Sequence, residues 1–170
     1  MSVINRPPIT LRHTDKLFID GQWVQPSSDS TITVIDSATE TPAFTVAEAQ
    51  ATDMAHAVAA ARRAFDTGPW PRLTHEERAG YLRAIAAALR ERSEEIAGLW
   101  PREAGVLHSM ARGVAAGAAW RFDFYASLAG SFAFEEEITP TAGGEFGLLV
   151  REPVGVVGAI VPGNAPLGLM

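Results

Sequence analysis

The sequence of 170 residues contains no cysteine. This absence excludes a disulfide framework, a zinc–thiolate site and a cysteine-ligated iron–sulfur cluster within the chain. It also excludes a cysteine nucleophile supplied by these residues. Thiolate chemistry in this protein would therefore need a thiol from outside this sequence.

The chain also has few basic residues relative to acidic ones. Fourteen Lys and Arg stand against twenty Asp and Glu, which gives a formal net charge of −6. This balance gives no support for a nucleic-acid or anionic-membrane surface. Residues 1–14 lack the apolar segment of a signal peptide, and the uncharged stretch 153–170 is interrupted by three prolines. We therefore expect a cytoplasmic protein with neither a nucleic-acid nor a membrane partner.

Signals for a metal or nucleotide site are weak. The four histidines are scattered, and none has a second ligand at metal-binding spacing. Gly155 and Gly158 do not form a G-x-G-x-x-G motif, and they lie inside an apolar run rather than after it. We predict no metal site and interpret these two glycines as points of close packing. The clustered glutamates are interpreted as solvated faces.

The N-terminal third has the pattern of β-structure. Two apolar runs flank Asp20-Gly21, a pair that tolerates the positive φ angles of a type I′ turn, so we predict a hairpin over 16–24. The β-branched run Thr31–Asp36 predicts a strand. A further short strand is expected over 43–46.

Helical periodicity begins at Thr52. A first helix is predicted to bury Met54, Val58, Ala61 and Phe65. A second begins at a capping box of Thr74 and Glu77. Its apolar stripe is formed by Leu82, Ile85, Leu89, Ile96 and Leu99.

Pro101 should end or kink the second helix near Leu99 or Trp100, because proline has no N–H and disfavours helix before it. A third helix is predicted over about 109–129. The apolar stripe expected on it comprises Met110, Val114, Gly117, Phe122 (or Arg121), Tyr125 and Leu128.

The pattern then returns to β-structure. We predict a solvated run over 135–137 and a hairpin of strands 138–141 and 146–151 around Gly143-Gly144. The unbroken apolar run 154–161 predicts a strand covered on both faces in a parallel sheet. A parallel strand needs a crossover and a partner strand, so we expect this sequence to be the front part of a larger protein.

The segment after this run, Pro162-Gly163-Asn164-Ala165-Pro166, allows two interpretations. Ligands of open α/β folds bind beyond the carboxyl ends of strands, and a carboxamide held between two prolines can donate to a developing oxyanion. The alternative is a turn in which Asn164 only hydrogen-bonds its own backbone. The local sequence alone favours the turn.

Taken in order, several segments resemble the aldehyde dehydrogenase superfamily. The segment 18–23, FIDGQW, resembles the "F-I-N/D-G-E/Q-W" opening of that superfamily, and 34–40, VIDSATE, resembles "N-P-A-T-G-E". The helix 55–65 followed by Trp70 and 74–78 is similar to "A-x-x-A-F-x-x-x-x-W…R". The most specific segment is 151–167, REPVGVVGAIVPGNAPL, which resembles "R-E-P-V-G-V-V-G-x-I-x-P-W-N-F-P-L". The resemblance starts near Lys16 and corresponds to the N-terminal third or so of a typical member.

The resemblance implies an α/β fold, the N-terminal part of an aldehyde dehydrogenase-like protein. Its parts would be a β-hairpin arm, three helices, an oligomerisation hairpin and the first strand of the Rossmann-like cofactor sheet. The boundaries would be 1–134 for the arm and the helices of the cofactor-binding domain, 135–153 for the oligomerisation hairpin and 154–170 for the first parallel strand. The intact protein would be a homodimer or homotetramer.

The resemblance also implies NAD- or NADP-dependent oxidation of an aldehyde to a carboxylic acid. In the family a cysteine thiolate forms a thiohemiacetal, hydride passes to the nicotinamide, and water hydrolyses the thioester. Asn164 maps to the residue that holds the oxyanion. The residues that map to the cofactor contact are Ile160, Val161, Pro162, Gly163 and Asn164. Those that map to the substrate tunnel are Ala165, Gly168 and Leu169.

The chain departs from the family pattern in several places. The nucleophile, the glutamate base, the cofactor-binding lysine and the glycine-rich cofactor loop are absent from these residues, so this chain alone is predicted to be inactive. Gly163 replaces the usual Trp and Ala165 the usual Phe, which suggests a wider tunnel and a bulkier aldehyde. The alternative function is a truncated, non-catalytic assembly or relic module.

Overall fold

A computed structural model describes residues 10–169, which form four α-helices and three separate two-stranded antiparallel sheets. The strands are β1 Leu17–Ile19, β2 Gln22–Val24, β3 Thr31–Asp36, β4 Thr41–Ala47, β5 Glu135–Ile138 and β6 Gly147–Val150. The helices are α1 Ala51–Asp66, α2 His75–Glu91, α3 Ser93–Ala104 and α4 His108–Ser127. Short 3₁₀ turns cover Trp70–Arg72 and Leu128–Gly130.

The first hairpin is confirmed, together with its turn. Ile19 pairs with Gln22, and Asp20 and Gly21 have φ of 55° and 75°. Two successive positive φ angles define the type I′ turn, whose twist matches that of the flanking strands. The strand over 31–36 is confirmed as β3, which pairs with β4 in the region of the short predicted strand.

The β3–β4 hairpin is tied to the C-terminus of α3. The Ser37 backbone N–H donates to the Arg102 carbonyl oxygen at 2.8 Å, and the Ser37 hydroxyl donates to the same oxygen at 3.0 Å. The last carbonyls of a helix have no partner within the helix, so these bonds satisfy groups that would otherwise need water. Gly105, with φ of 68°, ends α3 in the left-handed conformation that favours glycine.

The N-terminus of α1 is fixed by the buried carboxylate of Asp53. It accepts from the Gln50 N–H at 2.8 Å, the Ser27 N–H at 2.9 Å and the Ser27 hydroxyl at 2.8 Å. The Gln50 N–H is the largest contribution that lowers the pKa of Asp53 below its ordinary value of 3.8, and the Ser27 bonds lower it further against the opposing effect of burial. One side chain therefore both caps α1 and holds the loop before β3.

The helices α2, α3 and α4 pack together through alanine. The buried apolar residues of the described chain are nine alanines and Trp100. Of these, eight alanines lie in the three helices: Ala79, Ala86, Ala97, Ala111, Ala115, Ala118, Ala119 and Ala126. Small side chains allow helix axes to approach closely, so only a thin layer of side chains separates the helix backbones. Ion pairs at the edge, Arg90–Asp123 and Arg112–Glu94, join α4 to α2 and α3.

This packing corrects the predicted apolar stripes. Met54 and Val58 of α1 are exposed, as are Ile85 of α2 and Met110 and Tyr125 of α4. The predicted faces assumed that large apolar residues are buried first. On α4 the alanines are buried instead, because the close approach to α2 leaves no room for larger side chains.

The long second helix is also corrected. The capping box at its start is confirmed, with the Glu77 N–H donating to Thr74 Oγ1 at 3.2 Å and the Thr74 N–H donating to Glu77 Oε2 at 2.7 Å. The helix breaks at Arg92, not before Pro101, and α3 continues through Pro101 to Ala104. Proline removes only one hydrogen bond here, near the helix end where few remain to be lost.

The C-terminal β predictions are confirmed in part. A hairpin forms around Gly143 and Gly144, which have φ of 94° and 100°. Its first strand is β5, so the run 135–137, predicted as only solvated, pairs with β6 while remaining exposed. The first strand was predicted too late by three residues.

The strand predicted over 154–161 is not formed. These residues have no regular structure, and Val154 and Ile160 are 92% and 99% exposed. The physical reason is that a β-strand exists only through hydrogen bonds to a neighbouring strand, and residues 10–169 place none beside this run. Gly155 has φ of 99°, and an idealised Cβ there would lie 4.0 Å from Arg62 and Phe65 of α1, whereas a Cβ at Gly158 would meet nothing within 4 Å. The close packing expected of both glycines is therefore absent at Gly158.

The alanine interface generates a stability prediction. Ala115→Leu should lower the stability of the protein by about 1–3 kcal/mol, because a fully buried position between close helices cannot take a larger side chain. The matched control is Ala116→Leu, on the exposed side of the same helix. Thermal unfolding of both variants checks this. Equal melting temperatures for the two variants would contradict it.

The Asp53 cap generates a pH prediction. A carboxyl whose pKa is lower in the folded than in the unfolded state stabilises above the unfolded value, 3.8, and loses that contribution as pH falls through the folded pKa. Asp53→Asn should therefore unfold at a lower temperature than the unsubstituted protein at neutral pH, and the difference should shrink below pH 3.8. Asp29→Asn, an exposed change in the same loop, is the control. A difference between the proteins that does not change with pH would contradict this account.

Candidate active site

The candidate site is a loop of two successive turns at 162–168. The Ala165 N–H donates to the Pro162 carbonyl oxygen at 3.1 Å, and the Gly168 N–H donates to the Ala165 carbonyl oxygen at 3.2 Å. Asn164 is the third residue of the first turn, so the turn expected from the sequence is present. Its side chain is exposed and makes no hydrogen bond to residues 10–169. The turn therefore leaves the carboxamide available to a ligand.

The first anchor of this loop is Trp100 of α3. Its indole Nε1–H donates to the Gly163 carbonyl oxygen at 3.1 Å. The ring is 9% exposed and packs with Ala97 and Ala111. A buried indole N–H needs an acceptor, and the backbone next to Asn164 supplies it.

The second anchor is Arg121 of α4. Its guanidinium donates to the Gly168 carbonyl oxygen at 2.8 Å and approaches the Leu167 carbonyl oxygen at 3.4 Å. An idealised Cβ at Gly168 would lie 3.6 Å from the same guanidinium nitrogen. The two anchors thus hold the loop on either side of Asn164.

Beside Trp100, residues Pro166 and Leu167 of the loop line an apolar cleft of about 210 Å³. The lining residues are Ile96, Leu99, Trp100, Glu103, Ala111, Val114, Pro166 and Leu167. Partial desolvation raises the pKa of Glu103, the one acidic group of this lining. Pro166 and Leu167 are half-buried there, so the loop also packs by apolar contact.

The predicted site residues fall on two sides of the loop. Ile160, Pro162, Gly163 and Asn164 are exposed, and a Cβ at Gly163 would meet no atom within 4 Å. Among the predicted tunnel residues, Ala165 and Gly168 are half-buried towards the helices, while Leu169 is exposed. Val161 is half-buried.

Trp100 and Arg121 were not among the site residues predicted from sequence. The only signal was chemical: a tryptophan in a helix otherwise buried through alanine and leucine has an N–H that must find a partner. Nothing in the sequence pairs either side chain with a loop more than forty residues away. Within residues 10–169, no group of three or more His, Asp or Glu residues is placed to hold a metal ion. No described helix is long and apolar enough to cross a bilayer.

Comparison with known proteins decides the family. The sequence profile of the "Aldehyde dehydrogenase family" matches residues 23–170. The chain belongs to the aldehyde dehydrogenase family. The family resemblance noted in the sequence is thereby confirmed, and the fold is the N-terminal α/β portion of an aldehyde dehydrogenase.

Individual aldehyde dehydrogenases agree. The chain is 41% identical over 152 residues to aldehyde dehydrogenase 1 of Tanacetum cinerariifolium, covering 89% of the chain and 30% of that protein. It is 36% identical over 166 residues to geranial dehydrogenase of Castellaniella defragrans, covering 95% and 34%. The chain thus spans about a third of the length of the curated relatives it matches.

Solved structures give the same result. A betaine aldehyde dehydrogenase mutant of Staphylococcus aureus in complex with NAD⁺ superposes with a TM-score of 0.84 at 33% identity, over 91% of this chain and 31% of that one. An NAD-dependent aldehyde dehydrogenase from Sinorhizobium meliloti gives a TM-score of 0.83 at 33% identity, over 95% and 33%. Identity at this level extends the likeness beyond the fold to the family.

Proposed function

We propose that this chain is part of an NAD- or NADP-dependent enzyme that oxidises an aldehyde to a carboxylic acid, with Asn164 holding the oxyanion. The observation that carries the proposal is the anchored loop in a chain of this family. The loop presents to solvent the carboxamide of Asn164, which has no hydrogen-bond partner among residues 10–169. Its N–H₂ group is a hydrogen-bond donor, which is what stabilises an oxyanion that develops on the carbonyl oxygen of an aldehyde.

Asn164 would act on the first covalent intermediate. Since this chain has no cysteine, the thiolate would come from sequence outside these residues. Its addition to the aldehyde carbon forms a C–S bond and moves the carbonyl π electrons onto oxygen. The Asn164 N–H₂ would stabilise that oxyanion and again the one formed when water attacks the thioester, without taking or giving a proton.

Residues 160–163 would form part of the cofactor cleft. The described geometry fits a nucleotide there, since Ile160 is exposed and Gly163 leaves open space beside the backbone. When bound, NAD(P)⁺ would supply a hydride acceptor for the aldehyde carbon. The chain's own contribution would be backbone hydrogen-bonding groups and the apolar side chain of Ile160.

The boundaries 1–134, 135–153 and 154–170 remain our proposed division. The hairpin β5–β6 would pair across a subunit boundary in a homodimer or homotetramer. In support, both strands are exposed and each pairs with only one other strand among residues 10–169. Residues 154–161 would become a strand when a neighbouring strand is present.

The role of Asn164 can be tested in the intact protein and its variants. The mass of the protein from its native source is first compared with the 18.1 kDa of this chain, because the relatives are about three times as long. Aldehyde oxidation is then followed by NADH or NADPH absorbance. Asn164→Ala and Asn164→Asp should lower kcat by about 10²–10³ with little change in KM, as the loss of one oxyanion donor does.

The control for this experiment is Gln22→Ala, which removes an exposed carboxamide from β2. An Asn164→Ala enzyme as active as this control would contradict the oxyanion role. A protein of 18.1 kDa without turnover would instead favour the non-catalytic assembly module.

The small residue at 165 predicts substrate preference. Ala165→Phe should lower kcat/KM for branched or ring-bearing aldehydes by about tenfold or more relative to short linear ones, because a bulky side chain narrows the tunnel we propose there. A series of aldehydes of increasing chain length and ring size measures this. Ala129→Phe, the same change at a half-buried alanine of the 3₁₀ turn Leu128–Gly130, controls for general effects of the added ring. An unchanged order of preference would refute the wider tunnel.

A further inference from the structure

We infer that Trp100 and Arg121 are positioning residues that set the direction of the Asn164 carboxamide. The inference rests on the proposed function for its catalytic part, and on the hydrogen bonds of the loop for its structural part. Trp100 is buried and Arg121 is exposed, and both side chains donate to backbone carbonyl oxygens of the loop. Both act on the backbone that carries Asn164.

Each anchor constrains the backbone beside Asn164. Trp100 fixes the peptide oxygen of Gly163, and that oxygen belongs to the same peptide unit as the Asn164 N–H. Because a peptide unit is planar, holding its oxygen also orients the bond that enters Asn164. Trp100 is itself held by its packing with Ala97 and Ala111, so the constraint is transmitted from the helix core.

Arg121 acts at the other end of the loop. Arg121 donates to the Gly168 carbonyl oxygen, and the Gly168 N–H in turn donates to the carbonyl oxygen of Ala165. Ala165 is the residue that follows Asn164 in the chain. The charged donor makes the bond from Arg121 stronger than a bond between two neutral groups. The two neighbours of Asn164 are therefore linked to different helices. Gly163 is bonded to α3, and Ala165 is linked to α4 through Gly168.

Such anchors matter because Asn164 lies on an exposed part of the loop. Asn164 is exposed and its own side chain has no partner among residues 10–169, so nothing at the carboxamide itself fixes its direction. Gly163 adds the backbone freedom of a residue without Cβ. A displacement of about 1 Å in a catalytic group can cost on the order of 10²-fold in rate. The anchors add to the restriction that Pro162 and Pro166 place on the backbone of the loop.

The test uses matched substitutions in the intact protein. Trp100→Phe removes the indole N–H but keeps an apolar ring, and its control is Trp120→Phe, the same change at an exposed position of α4. Arg121→Met removes the guanidinium but keeps the stem, and its control is Arg83→Met, the same change at an exposed arginine whose ion pair with Glu76 lies within α2. Arg121→Lys, which can still donate to one carbonyl, should restore part of what Arg121→Met loses.

The first readout is hydrogen exchange of the Ala165 and Gly168 amides, which does not depend on turnover. We expect exchange to become about tenfold faster in Trp100→Phe and Arg121→Met, and to be unchanged in the controls, since one hydrogen bond contributes on that order to local stability. Exchange rates equal to those of the unsubstituted protein would overturn the anchoring.

The second readout is the split between kcat and KM. Both variants should lower kcat by about 10- to 100-fold while KM for aldehyde and cofactor stays within twofold, because a misdirected donor affects the oxyanion and not ground-state binding. Faster exchange with unchanged kcat would overturn the positioning role. If the unsubstituted protein does not oxidise aldehydes, the proposed function and the catalytic part of this inference are both wrong. The hydrogen-exchange rates of the Ala165 and Gly168 amides still show whether the anchors hold the loop.

Discussion

The close approach of α2, α3 and α4 through alanine is the constraint on which the rest of the structure depends. Alanine contributes little apolar area, and no large side chain in residues 10–169 is fully buried. The helices therefore gain their fixed relation from close contact between small side chains rather than from a thick core, and the exposed ion pairs at their edges add little. Such a platform is narrow but well defined, and both anchors of the Asn164 loop arise from it.

Trp100 connects this platform to the chemistry of the loop. It is the one large residue in the buried apolar set, and its polar atom is satisfied by the loop rather than by a helix. A side chain whose ring lies in the core and whose N–H reaches a turn makes the position of that turn depend on helix packing. The structure thus joins a stability element to a candidate site through a single residue.

The features predicted correctly from sequence are those specified by neighbouring residues. The Asp20-Gly21 turn needs only two residues that accept positive φ, and the Thr74–Glu77 box needs only a spacing of three. The turn at Asn164 was predicted in the same way, from contiguous residues, whereas the role of Asn164 in a site stays a proposal. Local chemistry decides such elements whatever the tertiary context.

The features that sequence reasoning missed depend on distant partners. The apolar run 154–161 has the composition of a buried strand, yet composition supplies no partner, and the run has no regular structure without one. The buried face of α4 is decided by how near α2 lies, which the periodicity of large residues does not encode. The anchors Trp100 and Arg121 act across 63 and 47 residues of sequence, respectively.

The contact of Ser37 with Arg102 bears on the order in which the chain folds. It joins residues 65 apart, whereas the helices α2, α3 and α4 are joined by short connections. Closing so long a loop costs conformational entropy, and this cost is offset only when the hydrogen bonds to α3 form. The carbonyl oxygens that accept these bonds are correctly placed only after α3 has formed. During synthesis the β3–β4 hairpin therefore emerges well before its docking point. Attachment of the hairpin therefore requires that α3 has formed.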